Sequence, residues 1–209
     1  MDNKVYYGIG MDRRQSLLVG VTRLSLVTRK WVRFLGFGLL ILSLTGCPNR
    51  LGQTTYSVKR VSDGDTIAVT DSQGNNLSVR FACTDAPEIA HTQAEKNSRK
   101  LLDKNQFNWG LKAQSRVKQL VKQGGDRVLL TITDTDQYKR KIGEVRLPDG
   151  TFVQQVLIRE GLAMVYQPYL KNCPSANIIQ QAEAEAKKNS RGIWGDPKFT
   201  PPWQYRRIK

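Results

Sequence analysis

Five short stretches of alternating apolar and polar residues, with one long amphipathic helix inserted after the third, restrict this chain more than any other feature of its sequence. Between residues 56 and 70 the apolar positions Val58, Val61, Ile67 and Val69 are interrupted by Asp63-Gly64-Asp65, the pattern of two strands joined at a tight acidic turn. Asn75-Asn76 then opens a strand in which Leu77, Val79 and Phe81 alternate with Ser78, Arg80 and Ala82, so that Arg80 points away from the apolar face. Val128, Leu130 and Ile132 mark a fourth strand over 127–133, and Ile142, Val145 and Leu147 a fifth over 141–147. Strands this short bury an apolar face only when several of them close on one another.

The inserted helix, over 109–123, sets Ala113, Val117, Leu120 and Val121 on one face and Lys112, Arg116, Lys118 and Lys122 mostly elsewhere, and stops at Gly124-Gly125. After a turn at Pro148-Asp149-Gly150, Val153, Val156 and Leu157 mark a second helix that ends near Gly161. A third, over 175–189, carries Ile179, Ala182 and Ala186 inward and leaves Glu183, Glu185, Lys187 and Lys188 in solvent. This order predicts an α+β fold, a five-stranded Greek-key barrel of the OB type with three helices. Residues 89–108 are polar and aperiodic apart from Leu101-Leu102 and read as a long surface loop, and the basic, Pro-containing tail 196–209 reads as an extended strap or frayed end.

The N-terminal segment is about targeting. Arg29, Lys30 and Arg33 precede an apolar run over 34–44, and Thr45 and Gly46 lead into Cys47, the charged, apolar, small-residue order of a secretory signal. A run of eleven residues falls short of the ~20 apolar residues that span a bilayer. Leu44-Thr45-Gly46-Cys47 resembles the lipobox of bacterial lipoproteins, which implies cleavage before Cys47 and acylation of its thiol; the other reading is a short uncleaved anchor or a buried apolar helix. The basic segment is long for a signal, which leaves Met11 and Val27 open as translation starts. The expected plan is a lipoprotein signal segment at 1–46, a linker at 47–55, a folded domain at 56–195 and the tail at 196–209, with the protein lipid-anchored in the cell envelope. Pro48, rather than Asp, after the modified Cys favours the outer membrane.

Charge and composition narrow the chemistry. Seven basic and two acidic residues precede Cys47, and 26 basic and 16 acidic residues follow from there, so the body itself is cationic and attracts polyanions. A single histidine, His91, argues against triads and His-rich metal sites, and it reads as a solvated loop residue. Asp63 and Asp65 lie in one turn, and Asp85 and Glu88 in Thr84-Asp85-Ala86-Pro87-Glu88 at the end of the strand that holds Arg80. Carboxylates offered from turns, with a backbone carbonyl beside them, suit a hard cation such as calcium. Taken singly each fragment has another reading: Asp-Gly turns form for backbone reasons, Asp85-Ala86-Pro87 is also a helix N-cap, Arg80 an ordinary strand residue, and Arg140 part of the exposed run Lys139-Arg140-Lys141. Trp109 and Trp194 flank helices and read as core anchors.

Together these fragments, with Asp136-Gln137-Tyr138-Lys139-Arg140, Val156 to Ala163 and Gly192-Ile193-Trp194, resemble the thermonuclease family, the staphylococcal nuclease-like enzymes, over nearly all of 56–194. The resemblance implies Asp65, Asp85 and the carbonyl of Ala86 as calcium ligands, with Asp63 nearby. It implies Glu88 as the carboxylate that orients or deprotonates the attacking water, and Arg80 and Arg140 as the two guanidinium groups on the phosphodiester. Tyr138, and Tyr169 as a second, match nucleotide-contacting tyrosines, although the sequence departs from the staphylococcal pattern around Tyr166-Gln167-Pro168-Tyr169. The implied activity is calcium-dependent hydrolysis of DNA and RNA with little sequence preference by a monomer; the alternative is a catalytically silent OB-fold lipoprotein that only binds nucleic acid. With Cys47 lipidated, Cys83 and Cys173 remain; both border the cleft in the resembled fold, which implies a disulfide, two separate thiols being the alternative.

Overall fold

The computed structural model describes residues 54–209; the apolar run over 34–44 and Cys47 lie outside the described residues. Strand β1 (Thr55–Val61) turns through Asp63-Gly64 into β2 (Thr66–Thr70), which pairs with β3 (Asn76–Phe81) across a turn where Asp71 Oδ1 accepts the Gln73 and Asn75 N–H groups at 2.9 and 2.8 Å. A two-residue strand β4 (Thr84–Asp85) follows, then one helical turn α1 (Gln93–Lys96) and the long helix α2 (Leu101–Gln123). Next come β5 (Arg127–Thr135), β6 (Lys141–Arg146), α3 (Val153–Arg159), the short β7 (Met164–Val165), α4 (Ala176–Lys188) and a C-terminal helix α5 (Pro202–Ile208).

The five long strands close into a barrel in the order β1-β2-β3-β6-β5, with β5 returning to β1. Only the β3–β6 pairing is parallel, Arg80 lying opposite Ile142, and closure removes the exposed edges that strands of this length would otherwise leave. Ile67, Val69, Val79, Phe81, Val128 and Val145 fill the barrel, and α2 covers one end with Ala113, Val117, Leu120 and Val121, the face its periodicity predicts. Helices α3 and α4 complete the core through Val153, Leu157, Ile158, Ile179 and Ala182.

Three buried polar side chains join these layers through hydrogen bonds. Gln154 of α3 accepts from Val145 N–H and donates to Gly143 C=O, both at 3.0 Å, so a side-chain amide ties α3 to β6. Glu144 accepts the Ser175 N–H and hydroxyl at 2.7 and 2.8 Å just before α4. Glu183, expected in solvent, is buried at 6% exposure, because its carboxylate accepts the Val165 N–H at 2.8 Å while Lys187 pairs with its other oxygen.

Two segments depart from the sequence expectation in a related way. Helix α2 begins at Leu101 rather than near Trp109, and α1 precedes it, held by a capping box in which Thr92 and Glu95 exchange side-chain and backbone hydrogen bonds. The tail is neither an extended strap nor frayed: Tyr205 of α5 is buried, donates to Asp103 Oδ1 at 3.0 Å and meets the Phe107 ring edge-on at 6.1 Å. Asp196 accepts from Asn105 and Trp109 at 2.7 and 2.8 Å, bonds that hold its carboxyl below the usual range. The tail thus supplies the partners that make helix of a segment with little periodicity of its own.

Cys83 and Cys173 are bonded, their Cα atoms 6.3 Å apart and 90 residues apart in sequence. A crosslink closing a loop of that length restricts the unfolded chain strongly. Reducing it is expected to lower unfolding stability by about 2–4 kcal/mol. Denaturant melts with and without reductant measure this, and coincident curves would mean that the bond contributes nothing.

Candidate active site

The turn between β1 and β2 delivers Asp65 to the barrel rim. A Cβ on Gly64 would lie 2.7 Å from the Cβ atoms of both Ala113 and Ala86, so only glycine lets the turn press between α2 and the chain beyond β4. Asp63 Oδ1 accepts the Asp65 N–H at 2.9 Å and shapes the turn from within. Asp65 then sits 3% exposed, with Oδ2 accepting the Ala86 N–H at 2.8 Å and Oδ1 accepting from Arg80 Nη1 at 2.8 Å.

Arg80 reaches this place from β3, directly opposite Thr66 in the β2–β3 ladder, and its other arm donates from Nη2 to Asp85 Oδ1 at 2.7 Å. Asp85 arrives through Cys83, which holds a left-handed conformation at φ 55°. That strained conformation persists because its surroundings fix it: the sulfur is bonded to Cys173, the carbonyl accepts the Tyr166 N–H at 2.9 Å, and β4 pairs with β7 immediately after. Asp85 is 1% exposed. Burial pushes its carboxyl above the usual range, although Arg206 and Arg80 work the other way. Burial, with the Asp65 charge beside it, also raises Asp63, and Asp65 in turn holds Arg80 more firmly protonated.

Glu88 follows Pro87 into contact with α2, where a Cβ on Gly110 would run into the Glu88 carbonyl. The buried amide of Gln106, oriented to satisfy both neighbours, accepts the Glu88 N–H at 3.3 Å and donates to Thr200 C=O at 3.0 Å. A third guanidinium enters from α5: Arg206 donates to Asp85 Oδ1 and Oδ2 at 3.1 and 2.7 Å and to Glu88 Oε1 at 2.6 Å. Burial disfavours this charge, but the Asp85 and Glu88 carboxylates outweigh it and keep Arg206 above the ordinary arginine range.

Asp65, Asp85, Ala86, Glu88 and Arg80 thus lie in one cluster. Arg140 stands at the start of β6, whose Ile142 is opposite Arg80, and is held by Asp136 at 2.8 Å instead of by the cluster. Tyr138, 71% exposed, lies beside it with the Arg140 guanidinium 5.5 Å from its ring centre. Tyr169, 60% exposed, packs on Tyr166 at 5.5 Å, and Trp203 of α5 meets Tyr166 at 6.1 Å. His91 is exposed, and Trp109 and Trp194 carry Lys112 and Lys187 over their rings. Arg206, Gln106, Gly110 and Trp203 are the residues that sequence reasoning missed. Gly110 stood at the very start of the expected helix, where a glycine draws no notice, and Arg206 stood in a basic tail with no periodicity to single it out.

Among the described residues no group of three or more His, Cys, Asp or Glu side chains surrounds a common point. The cluster instead offers two buried carboxylates, Asp65 and Asp85, joined by one guanidinium. That chemistry fits a hard cation whose flexible shell is completed by water, and it does not fit zinc or a softer metal.

An OB-type barrel that gathers acidic turns and arginines at its rim defines a small class of α+β proteins. The family described as Staphylococcal nuclease homologue matches residues 78–196, more than half of the chain, and this chain belongs to that family. It is 34% identical over 170 residues to an "Uncharacterized endonuclease" of Escherichia coli O157:H7, an alignment that covers 81% of this chain and 96% of that protein. It is 30% identical to a "Micrococcal nuclease" of Shigella flexneri over 72% of this chain and 79% of that one. Similarity to "Endonuclease YhcR" of Bacillus subtilis, at 33% identity, covers 76% of this chain but 13% of that much longer protein.

The contact of Gly110 with the Pro87-Glu88 backbone gives a test of how the site is positioned. Gly110→Ala is expected to cost about 2–3 kcal/mol by forcing the two backbones apart. Urea unfolding reads the effect, and an unchanged midpoint would show that α2 does not hold Glu88 in this way.

Proposed function

We propose that this protein is a calcium-dependent nuclease that hydrolyses phosphodiester bonds of DNA and RNA with little sequence preference, displayed outside the cytoplasm on a lipid anchor at Cys47. Membership of the staphylococcal nuclease family and the names of the similar endonucleases support hydrolysis of nucleic acid. The observation that carries the reading is the bridge of Arg80 between Asp65 and Asp85, with Arg206 joining Asp85 to Glu88.

Asp65, Asp85 and the Ala86 carbonyl are the residues that would hold calcium. Bound there, calcium supplies positive charge beside the phosphate and the water. Glu88, on the solvent side of the buried pair, accepts the proton of the attacking water as its oxygen bonds to phosphorus. Arg80 and Arg140 donate to the non-bridging oxygens, whose negative charge grows during attack, through the N–H groups that are not engaged with Asp65, Asp85 and Asp136. Asp136 fixes the Arg140 fork. Tyr138 and Tyr169 present exposed rings on which bases stack without regard to sequence, in keeping with low specificity.

Glu88→Gln is expected to lose roughly 10²–10⁴-fold in turnover while retaining DNA binding. Arg140→Lys keeps the charge but loses the fork, with an expected loss of about 10²-fold, and Asp65→Asn weakens calcium dependence together with rate. Cleavage of single-stranded DNA with calcium and then with chelator measures all three. Full activity of Glu88→Gln in excess chelator would overturn the mechanism, and binding without cleavage by the wild type would favour a silent nucleic-acid-binding protein.

The anchor rests on Leu44-Thr45-Gly46-Cys47 after the apolar run, and the absence of Asp after Cys47 favours the outer membrane. Labelled fatty acid is expected in the wild type and not in Cys47→Ser. Recovery of the wild type from the cytosol with its N-terminal segment intact would refute this.

A further inference from the structure

Helix α5 places one cationic side chain where the proposed site needs a different cation. Arg206 donates to both oxygens of Asp85 and to Glu88. With Arg80 also on Asp85 Oδ1 and on Asp65 Oδ1, every oxygen of the buried pair accepts a hydrogen bond: Ala86 N–H serves Asp65 Oδ2 and Arg206 serves Asp85 Oδ2. Two carboxylates buried this deeply repel each other unless positive charge lies between or beside them. Arg80 supplies one unit from the barrel, and Arg206 the next from the tail.

A divalent ion on Asp85 would stand next to two guanidinium groups on the same carboxylate, at distances where like charges repel strongly. Arg80 is the more deeply set of the two: it projects from a barrel strand and bonds both buried acids, one with each arm. Arg206 can withdraw. Its helix is seven residues long, its side chain is 40% exposed against 23% for Arg80, and its own end of α5 is held by Lys209 pairing with Glu95 at the surface. The anchor of α5 is Tyr205, which is buried against Phe107 and Asp103, so the neighbouring Arg206 side chain can leave the acids without undocking the tail. Glu88, the proposed base, is tied to the same guanidinium and cannot take a proton from water while Arg206 neutralises it.

Resting on the calcium reading above, we propose that α5 is a latch: Arg206 competes with the divalent cation for Asp85 and Glu88, so that cation binding and release of the Arg206 contacts are a single event. In the latched state Arg206 stands in for the cation and keeps the buried carboxylates neutralised; in the released state Asp85 and Glu88 are both free for chemistry. The latch lowers the apparent affinity for calcium by the fraction of molecules in which it is closed.

Calorimetric titration of calcium into the full chain in detergent, without nucleic acid, tests this directly. Arg206→Gln is expected to tighten calcium binding at least about tenfold, as a latch closed in nine molecules of ten requires, and Arg206→Lys to fall between it and the wild type. In the wild type, calcium is expected to speed amide hydrogen exchange over residues 206–209 while the amides of α2 stay protected. Equal or weaker calcium binding by Arg206→Gln would overturn the latch and leave the calcium site standing. No calcium binding by either protein would overturn the calcium reading and the latch with it.

Discussion

Burying two carboxylates side by side at the rim of a small barrel is the constraint around which this structure is arranged. Asp65 and Asp85 come from different turns, and Arg80 joins them with one guanidinium, one arm to each. A buried ion pair of this kind adds little to stability on balance, because desolvation offsets most of the attraction, but losing one partner leaves an uncompensated charge. It therefore specifies register. Arg80 faces the acids only while it lies opposite Thr66 and Ile142, and a slip of one residue would turn it into the core and Val79 out of it.

Around that cluster the rest of the fold acts as a set of clamps. The Cys83–Cys173 bond and the β4–β7 pairing hold the chain bend that presents Asp85, and Gly64 and Gly110 let α2 come close enough to fix the Asp65 turn and the Glu88 backbone. Preorganisation of this sort is what a phosphodiester site requires, since its oxygens gain charge faster than loose side chains could reorient.

The outer wall is built by two segments that are individually uninformative. Residues 89–108 and the tail after Trp194 exchange side-chain bonds at Asn105, Trp109 and Asp196, at Asp103 and Tyr205, at Gln106 and Thr200, and between Glu95 and Lys209, whose ammonium holds the Glu95 carboxyl down at about 2. Neither segment has an amphipathic face long enough to order itself. Each supplies the partners the other lacks, and the last of these contacts carries Arg206 to the acids.

The five barrel strands, the apolar face of α2 from Trp109 onward, α3 and α4 were legible in the sequence because their burial is periodic: Ile67 and Val69, or Val117, Leu120 and Val121, repeat with the spacing of the element that buries them, whereas the two-residue strands β4 and β7 are too short to show a period. Asp65, Asp85, Glu88 and Arg80 were singled out through the resemblance to the nuclease family, and the fold gathers these four at one rim while Arg140 stands on Asp136. Glu183 was misjudged because a charged residue on an exposed-looking face is buried only when a distant backbone N–H, here that of Val165, needs an acceptor. The N-terminal turns of α2, helix α5 and the placement of Arg206 were decided by tertiary structure alone. Contacts of about 100 residues' separation, such as Asp103 with Tyr205 or Glu88 with Arg206, leave no period in the chain; they exist only once the barrel has closed and brought the two segments to one rim.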